Sequence, residues 1–439
     1  MSEETHEIQA INWRQCFSFQ EILQSFRMAI HPTKLLLCLL ALLATAWGAW
    51  VVDQIPAPVG QTNVSILGAA NLNLDGRISL WENLNHVLTK TLWGTWALPY
   101  VGDKTWDDFF TFLMTPVSAA KELVLLAVAY WEEAPWFALI STIIGLGIWA
   151  FIGGAVTRMA AVRIAREENV PLKRALAFSC RKWPSIASSP LIPFGVLVLV
   201  ALGVGLVTGL ALMVPYAGEV VVSLLFGLTL LAGLVMALIF VGGAFSVGLQ
   251  WPTIAAEGSD AFDAISRSVA YISSRPWRYL FYTVFSAVYG CLTFIFVKFV
   301  ALATLWLTHT AVSCVAWGGG EHADKLVRLW AAPTFANPWP QTGADALVPN
   351  AELLRAEAFG SVVIAIFVWI VLGLMVSYLI SFFFSSQTVI YFLLRKIVDA
   401  TDMEEVYVEE SEEEELPVGE KAEGPEPVKV EEAEEGESE

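Results

Sequence analysis

Residues 191–248 read LIPFGVLVLVALGVGLVTGLALMV, then PYAGE, then VVVSLLFGLTLLAGLVMALIFVGGAFSVG, and Glu219 in the short connector is their only charge. Each arm exceeds the roughly 20 apolar residues that a helix needs to cross about 30 Å of hydrocarbon. The connector Pro215-Tyr216-Ala217-Gly218-Glu219 permits only a tight turn between them. Four further stretches of the same kind lie on either side, so the apolar segments run roughly 33–52, 136–157, 191–214, 220–248, 279–302 and 361–384. The fold class expected is an all-α integral membrane protein with six transmembrane helices. Its membrane domain covers 1–398, with extracytoplasmic loops at 53–135 and 303–360.

The composition agrees: 56% of the 439 residues are hydrophobic and 15% charged, against about 25% charged in soluble domains. The formal net charge of −18 is local. Residues 399–439 hold 19 Asp/Glu and 2 Lys, whereas residues 1–398 hold 24 acids and 23 bases. Such a tail repels itself and has little apolar surface to bury, so 399–439 is expected to be a disordered acidic tail. It suits a docking segment for a basic protein partner and would be repelled by nucleic acid and by anionic lipid.

Lys and Arg set the topology. Fifteen fall in the segments 1–34, 158–190 and 249–278 and just after the last span; seven fall in 53–135 and 303–360, where they are spread over longer loops. The bias predicts a multi-pass protein of the cell membrane with both termini in the cytoplasm. Ala44-Thr45-Ala46 has the look of a signal-cleavage site, but a polar lead of 34 residues is too long for a signal peptide. Trp47, Trp50, Trp136, Trp251, Trp277 and Trp306 lie near span ends, where amphipathic rings favour the headgroup level. Val117–Trp131 reads as a helix lying in the outer interface or as a re-entrant piece. By this topology Cys16 and Cys180 face the cytoplasm, Cys38 and Cys291 lie within spans and Cys314 lies outside, so disulfides are not expected.

Two connections echo each other at an offset of 90. Ile164-Ala165-Arg166-Glu167 matches Ile254-Ala255-Ala256-Glu257, Leu172 matches Phe262, and a proline (Pro184, Pro276) precedes the next span. A fainter copy holds Phe19, Ile22, Leu23 and Phe26, then Pro32. Phe262, Ile265, Val269 and Ile272 recur at spacings of three and four, which predicts a short amphipathic helix that proline then breaks. The expected unit is a cytoplasmic surface helix, an outward span, an outer loop and a return span, used three times.

On these residues a resemblance stands. The stretch Trp251-Pro252-Thr253-Ile254-Ala255-Ala256-Glu257, followed by Ala261–Ser268 and Pro276-Trp277, resembles bacterial multi-pass membrane domains of unassigned function. It is also similar to the membrane domain that accompanies glycerophosphodiester phosphodiesterases. The likeness covers about 160–300 and the exit of the last span, Thr388–Arg395. It implies a membrane module and transfers no active site.

The sharpest chemical motif is Asn71-Leu72-Asn73-Leu74-Asp75-Gly76-Arg77-Ile78-Ser79-Leu80-Trp81-Glu82. Asn71, Asn73, Asp75, Ser79 and Glu82 occupy oxygen-ligand positions of a twelve-residue calcium loop, and Gly76 supplies its sharp turn. Position 1 is Asn and only two carboxylates are present, so a polar turn with an N-capped helix is the first reading and a weak calcium site the alternative. No other cofactor is implied. Lys298 reads as the one clear charge within a span, its stem snorkelling to headgroups. Gly205-x-x-x-Gly209, Gly145 with Gly147, Gly153-Gly154 and Gly242-Gly243 predict close helix packing. Phosphate loop, nucleophile elbow and zinc-helix patterns do not occur. The expectation is a non-enzymatic scaffold or accessory component of the lipid bilayer; the alternative is a transporter or channel for an uncharged or lipidic solute.

Overall fold

The computed structural model describes residues 18–54, 80–87, 113–315, 326, 329–333 and 355–407. Among them, regular structure is helical throughout, with no strand. A 3-10 turn, Ser18–Leu23, runs into α1 (Gln24–Ala29), followed by α2 (Pro32–Val52), α3 (Leu80–His86), α4 (Thr115–Glu133) and α5 (Pro135–Arg166). Then come α6 (Leu172–Leu212), α7 (Ala217–Leu224), α8 (Phe226–Glu257), α9 (Ala261–Ser274), α10 (Pro276–Val315) and α11 (Arg355–Val398). Six of these, α2, α5, α6, α8, α10 and α11, are long and apolar enough to cross a membrane. By contacts the chain divides into one unit, Met1–Val406, and a second, Tyr407–Glu439; beyond Tyr407 the acidic tail lies outside the described residues.

The long helices overrun the apolar stretches that predict them. At 1.5 Å per residue the 41 residues of α6 reach about 60 Å, twice the hydrocarbon thickness. Its basic first third, with Lys173, Arg174, Arg181 and Lys182, is therefore a continuation of a span. The fourth apolar stretch divides instead, since α7 ends at Leu224 and the long helix α8 starts at Phe226.

Prolines act in two ways. Pro32 and Pro276 start α2 and α10, where the missing N–H would have had no helical partner anyway. Pro184 was expected to end a surface helix, yet α6 runs unbroken through Pro184, Pro190 and Pro193. The physical reason is visible at Pro190, whose missing N–H frees the carbonyl of Ile186, one turn back. That carbonyl accepts a hydrogen bond from the Trp251 indole Nε1 at 3.0 Å and another from Ser189 Oγ at 3.1 Å. Neighbouring side chains thus satisfy the freed carbonyl, as transmembrane prolines require.

Helix α11 packs on α2, α5, α8 and α10, and also on α1 and α9. Its buried hydroxyl stripe, Ser377, Ser381 and Ser385, lets the α1–α2 junction come close: Ser381 Oγ donates to Ala29 O at 3.0 Å and Lys34 Nζ to Ser385 Oγ at 3.4 Å. Glycines make other approaches. A Cβ on Gly153 would lie 2.5 Å from the Trp251 ring, and on Gly154 2.6 Å from Ile186. Gly145, Gly205 and Gly209 differ from expectation, for no described residue lies within 4 Å of a Cβ built there. For Gly205 and Gly209 the reason is their place in the 199–238 part of the hairpin, whose apolar side chains are largely exposed.

Three residues sit where the sequence did not suggest. Trp251, read as an interface residue, stacks on Phe384 inside the bundle at 5.4 Å between centroids. Arg158, counted among loop charges, is wholly buried on α5, with Nη1 donating to Ala255 O at 2.8 Å and the guanidinium 4.6 Å from the Phe178 ring centroid. Lys298 is 1% exposed. It lies on the α10 face that also buries Phe294, Ala301 and Leu302, so it faces the bundle and does not snorkel.

Candidate functional site: a polar lock and a basic cavity at one end of the bundle

The start of α2, the α5–α6 turn, the α8–α9 turn and the exit of α11 meet at one end of the bundle, and its polar chemistry gathers there. Glu257 closes α8. It receives the Tyr391 hydroxyl, lies 2.9 Å from Arg267 Nη1 and 3.7 Å from Arg395 Nε, and is nearly buried. Arg267 is doubly engaged, since Asp263 one turn back accepts from its Nε at 3.0 Å. These two carboxylates, Asp263 first, push the Arg267 guanidinium above its ordinary value. Burial, helped by the hydroxyl's bond to Asp399, likewise pushes the Tyr271 phenol up, so it stays a neutral donor. Arg395 Nη1 donates to Glu405 O at 2.8 Å, which folds the chain after α11 back onto its last turn. Lys182 ties α6 to the same corner by donating to Gly258 O. Five elements are thereby pinned by charge-assisted bonds, the stronger class of hydrogen bond.

Beside this lock is a cavity of about 480 Å³ between the α1–α2 junction and the end of α5, lined by Gln24, Arg27, Met28, His31, Lys34, Met159, Arg163, Glu167, Asn169 and Val170. Lys34 is 3% exposed and Arg27 is open to solvent. His31 Nδ1 and Thr33 Oγ1 are 2.7 Å apart. Burial and then the Lys34 and Arg163 charges push the His31 imidazole below its ordinary 6.5; all three side chains line the same cavity. Arg163 Nη1 donates to Glu167 O at 2.7 Å and to Asn169 Oδ1 at 3.1 Å. Glu167 ends α5 in the left-handed region at φ 57°, which gives the wall its sharp turn.

The sequence-predicted calcium residues are not gathered by anything described. Asn71, Asn73, Asp75 and Ser79 lie outside the described residues, and Glu82 falls in α3 with its side chain undescribed. What the structure does show there is the Asp53 carboxylate receiving the Leu80 and Trp81 amides at 2.8 and 3.0 Å, a cap on the start of α3. Among the described residues no group of three or more His, Cys, Asp or Glu is placed to hold a metal. The basic cavity was not foreseen, although its signal is present: Arg27, His31 and Lys34 are spaced by four and three. In comparisons with family models, curated proteins and solved structures, nothing matches the chain.

Proposed function

We propose that this chain is a six-span protein of the cell membrane with both termini in the cytoplasm, acting as a non-enzymatic scaffold or accessory component. The polar end then faces the cytoplasm, where the excess of Lys and Arg belongs. In this reading α1, the basic first third of α6 and α9 begin three related two-span units, and 399–439 is an acidic tail that engages a basic protein partner. Such an architecture is also what the resemblance to the membrane domain accompanying glycerophosphodiester phosphodiesterases implies.

The observation that carries the scaffold reading is how the interior is filled. Rings and aliphatic chains occupy the space beside its glycines: Trp251 and Phe384 at Gly153, Phe382 at Gly290, Leu39 at Gly373. An interior filled by side chains at these approaches suits a structural part, whereas a solute path needs an open, polar-lined passage at mid-membrane.

The test compares the full chain with residues 1–398, both gently purified and also reconstituted in liposomes. A protein partner that co-purifies with the full chain and is lost with the tail supports the proposal. A chain that purifies alone and carries a solute across the liposome membrane overturns it.

A further inference from the structure

We infer that the cavity walled by Arg27, His31, Lys34 and Arg163 is a binding site for a phosphate group, carried by an anionic lipid headgroup or by a small soluble phosphorylated molecule. The charge balance comes first. Two guanidiniums (Arg27 and Arg163), the Lys34 amine and one imidazole face a single carboxylate, Glu167, which is exposed at the rim.

Those cations are also unspent. Lys34 is buried, yet its one bond to a described residue is the long contact with Ser385, and among the described residues no carboxylate is within ion-pair reach. A buried lysine amine with no carboxylate in reach is a position that a seated anion completes. Both bonds from Arg163 to described residues use Nη1 and leave Nε and Nη2 free to donate. Arg27 is bonded to no described residue. Two guanidinium forks, an ammonium and an imidazole converging from different directions suit a multiply charged tetrahedral oxyanion better than a lone carboxylate.

Depth and size agree. Lys34 lies in the first turn of α2 and Arg163 in the last turn of α5, where apolar helix gives way to polar chain and phospholipid phosphates reside. Basic pockets between helices at this level are where headgroups are held. The volume falls within the roughly 300–1,000 Å³ of small-ligand sites. Met28, Met159 and Val170 form an apolar part of the lining suited to a glycerol backbone.

The test uses the full chain in phosphatidylcholine nanodiscs with and without phosphatidic acid, counting retained lipid by native mass spectrometry, and titrates inorganic phosphate by calorimetry. Arg27→Gln and Arg163→Gln change rim and wall positions. Each is expected to weaken phosphate-group binding about tenfold or more, the loss of one charge-assisted bond. Arg166→Gln removes the same charge one turn away, outside the cavity, and should leave binding unchanged. Lys34→Met should abolish binding while the chain still elutes as a folded species. Retention of phosphatidic acid without a phosphate titration assigns the site to lipid, and the reverse assigns it to a soluble ligand; both support the inference. Binding of neither probe, or equal weakening by Arg166→Gln and Arg163→Gln, overturns it.

Discussion

Gly153 and Gly145 lie two turns apart on α5, and replacing each by alanine should move stability in opposite directions. At Gly153 the new Cβ would sit 2.5 Å from Trp251 Cζ3 and 2.9 Å from Phe384 Cζ. Neither ring is free to yield. They stack with an interplanar angle of 14°, and the indole N–H is committed to the Ile186 carbonyl. Overpacking of this kind costs about 1–3 kcal/mol, partly offset by the roughly 1 kcal/mol that alanine gains over glycine within a helix. Gly145→Ala meets no described residue within 4 Å and keeps only the favourable part. The two variants should therefore separate by about 1–3 kcal/mol. Thermal unfolding in detergent, followed by reaction of a thiol dye with the buried Cys38 and Cys291, reads the difference. If Gly153→Ala raises the midpoint as much as Gly145→Ala does, the packing described around Trp251 is wrong.

Trp251→Phe removes one of the two bonds to the Ile186 carbonyl and leaves the Ser189 hydroxyl on it, and should destabilise by about 0.5–1.5 kcal/mol. Pro190→Ala restores the missing amide and should recover part of that loss, which a double-mutant cycle of unfolding midpoints measures. Glu257→Ala breaks a nearly buried ion-pair centre and should cost about 3–5 kcal/mol. At the echoing position, Glu167→Gly relieves a positive φ and should stabilise by about 1 kcal/mol; chemical denaturation in mixed micelles compares the two. The His31 imidazole, facing Arg27, Lys34, Arg163 and Glu167, sits below its ordinary 6.5. The unfolded chain therefore takes up this proton first, and stability falls as pH drops below 6.5, levelling off under the folded-state value. Removing that step is the expected effect of His31→Gln, and histidine NMR titration should show the site's pKa rising when sulfate is added.

The long-range part of the architecture was legible because hydrocarbon imposes a length and a polarity that no other environment does; six apolar stretches became six long helices. What could not be read depends on contacts distant in sequence. Pro190 signals a break until Trp251 arrives from another helix to satisfy the carbonyl it frees. Gly205-x-x-x-Gly209 signals packing, yet no described residue lies within 4 Å of a Cβ built at either glycine. Lys298 and Arg158 are burial outcomes, fixed by which helix face turns inward. The cavity was half visible, since Arg27, His31 and Lys34 fall at helical spacing, but Arg163 joins them only through the packing of α5 against α2. In the calcium-loop pattern the ligand types match, and Asn71, Asn73, Asp75, Ser79 and the Glu82 side chain lie outside the described residues.

The order of crossings is tested most directly by impermeant thiol labelling in sealed vesicles of known orientation. Single cysteines would be placed at Asn169, Ser259, Ala400 and Tyr216 in a chain whose native cysteines are serine. The turns at Asn169 and Ser259 and the chain after α11 share the polar end, while Tyr216 lies in the α6–α7 turn at the far end of the hairpin. Asn169→Cys, Ser259→Cys and Ala400→Cys should react from the cytoplasmic side alone, and Tyr216→Cys from the opposite side alone. Labelling of Tyr216→Cys and Asn169→Cys from the same side would contradict a six-span bundle with both ends in the cytoplasm.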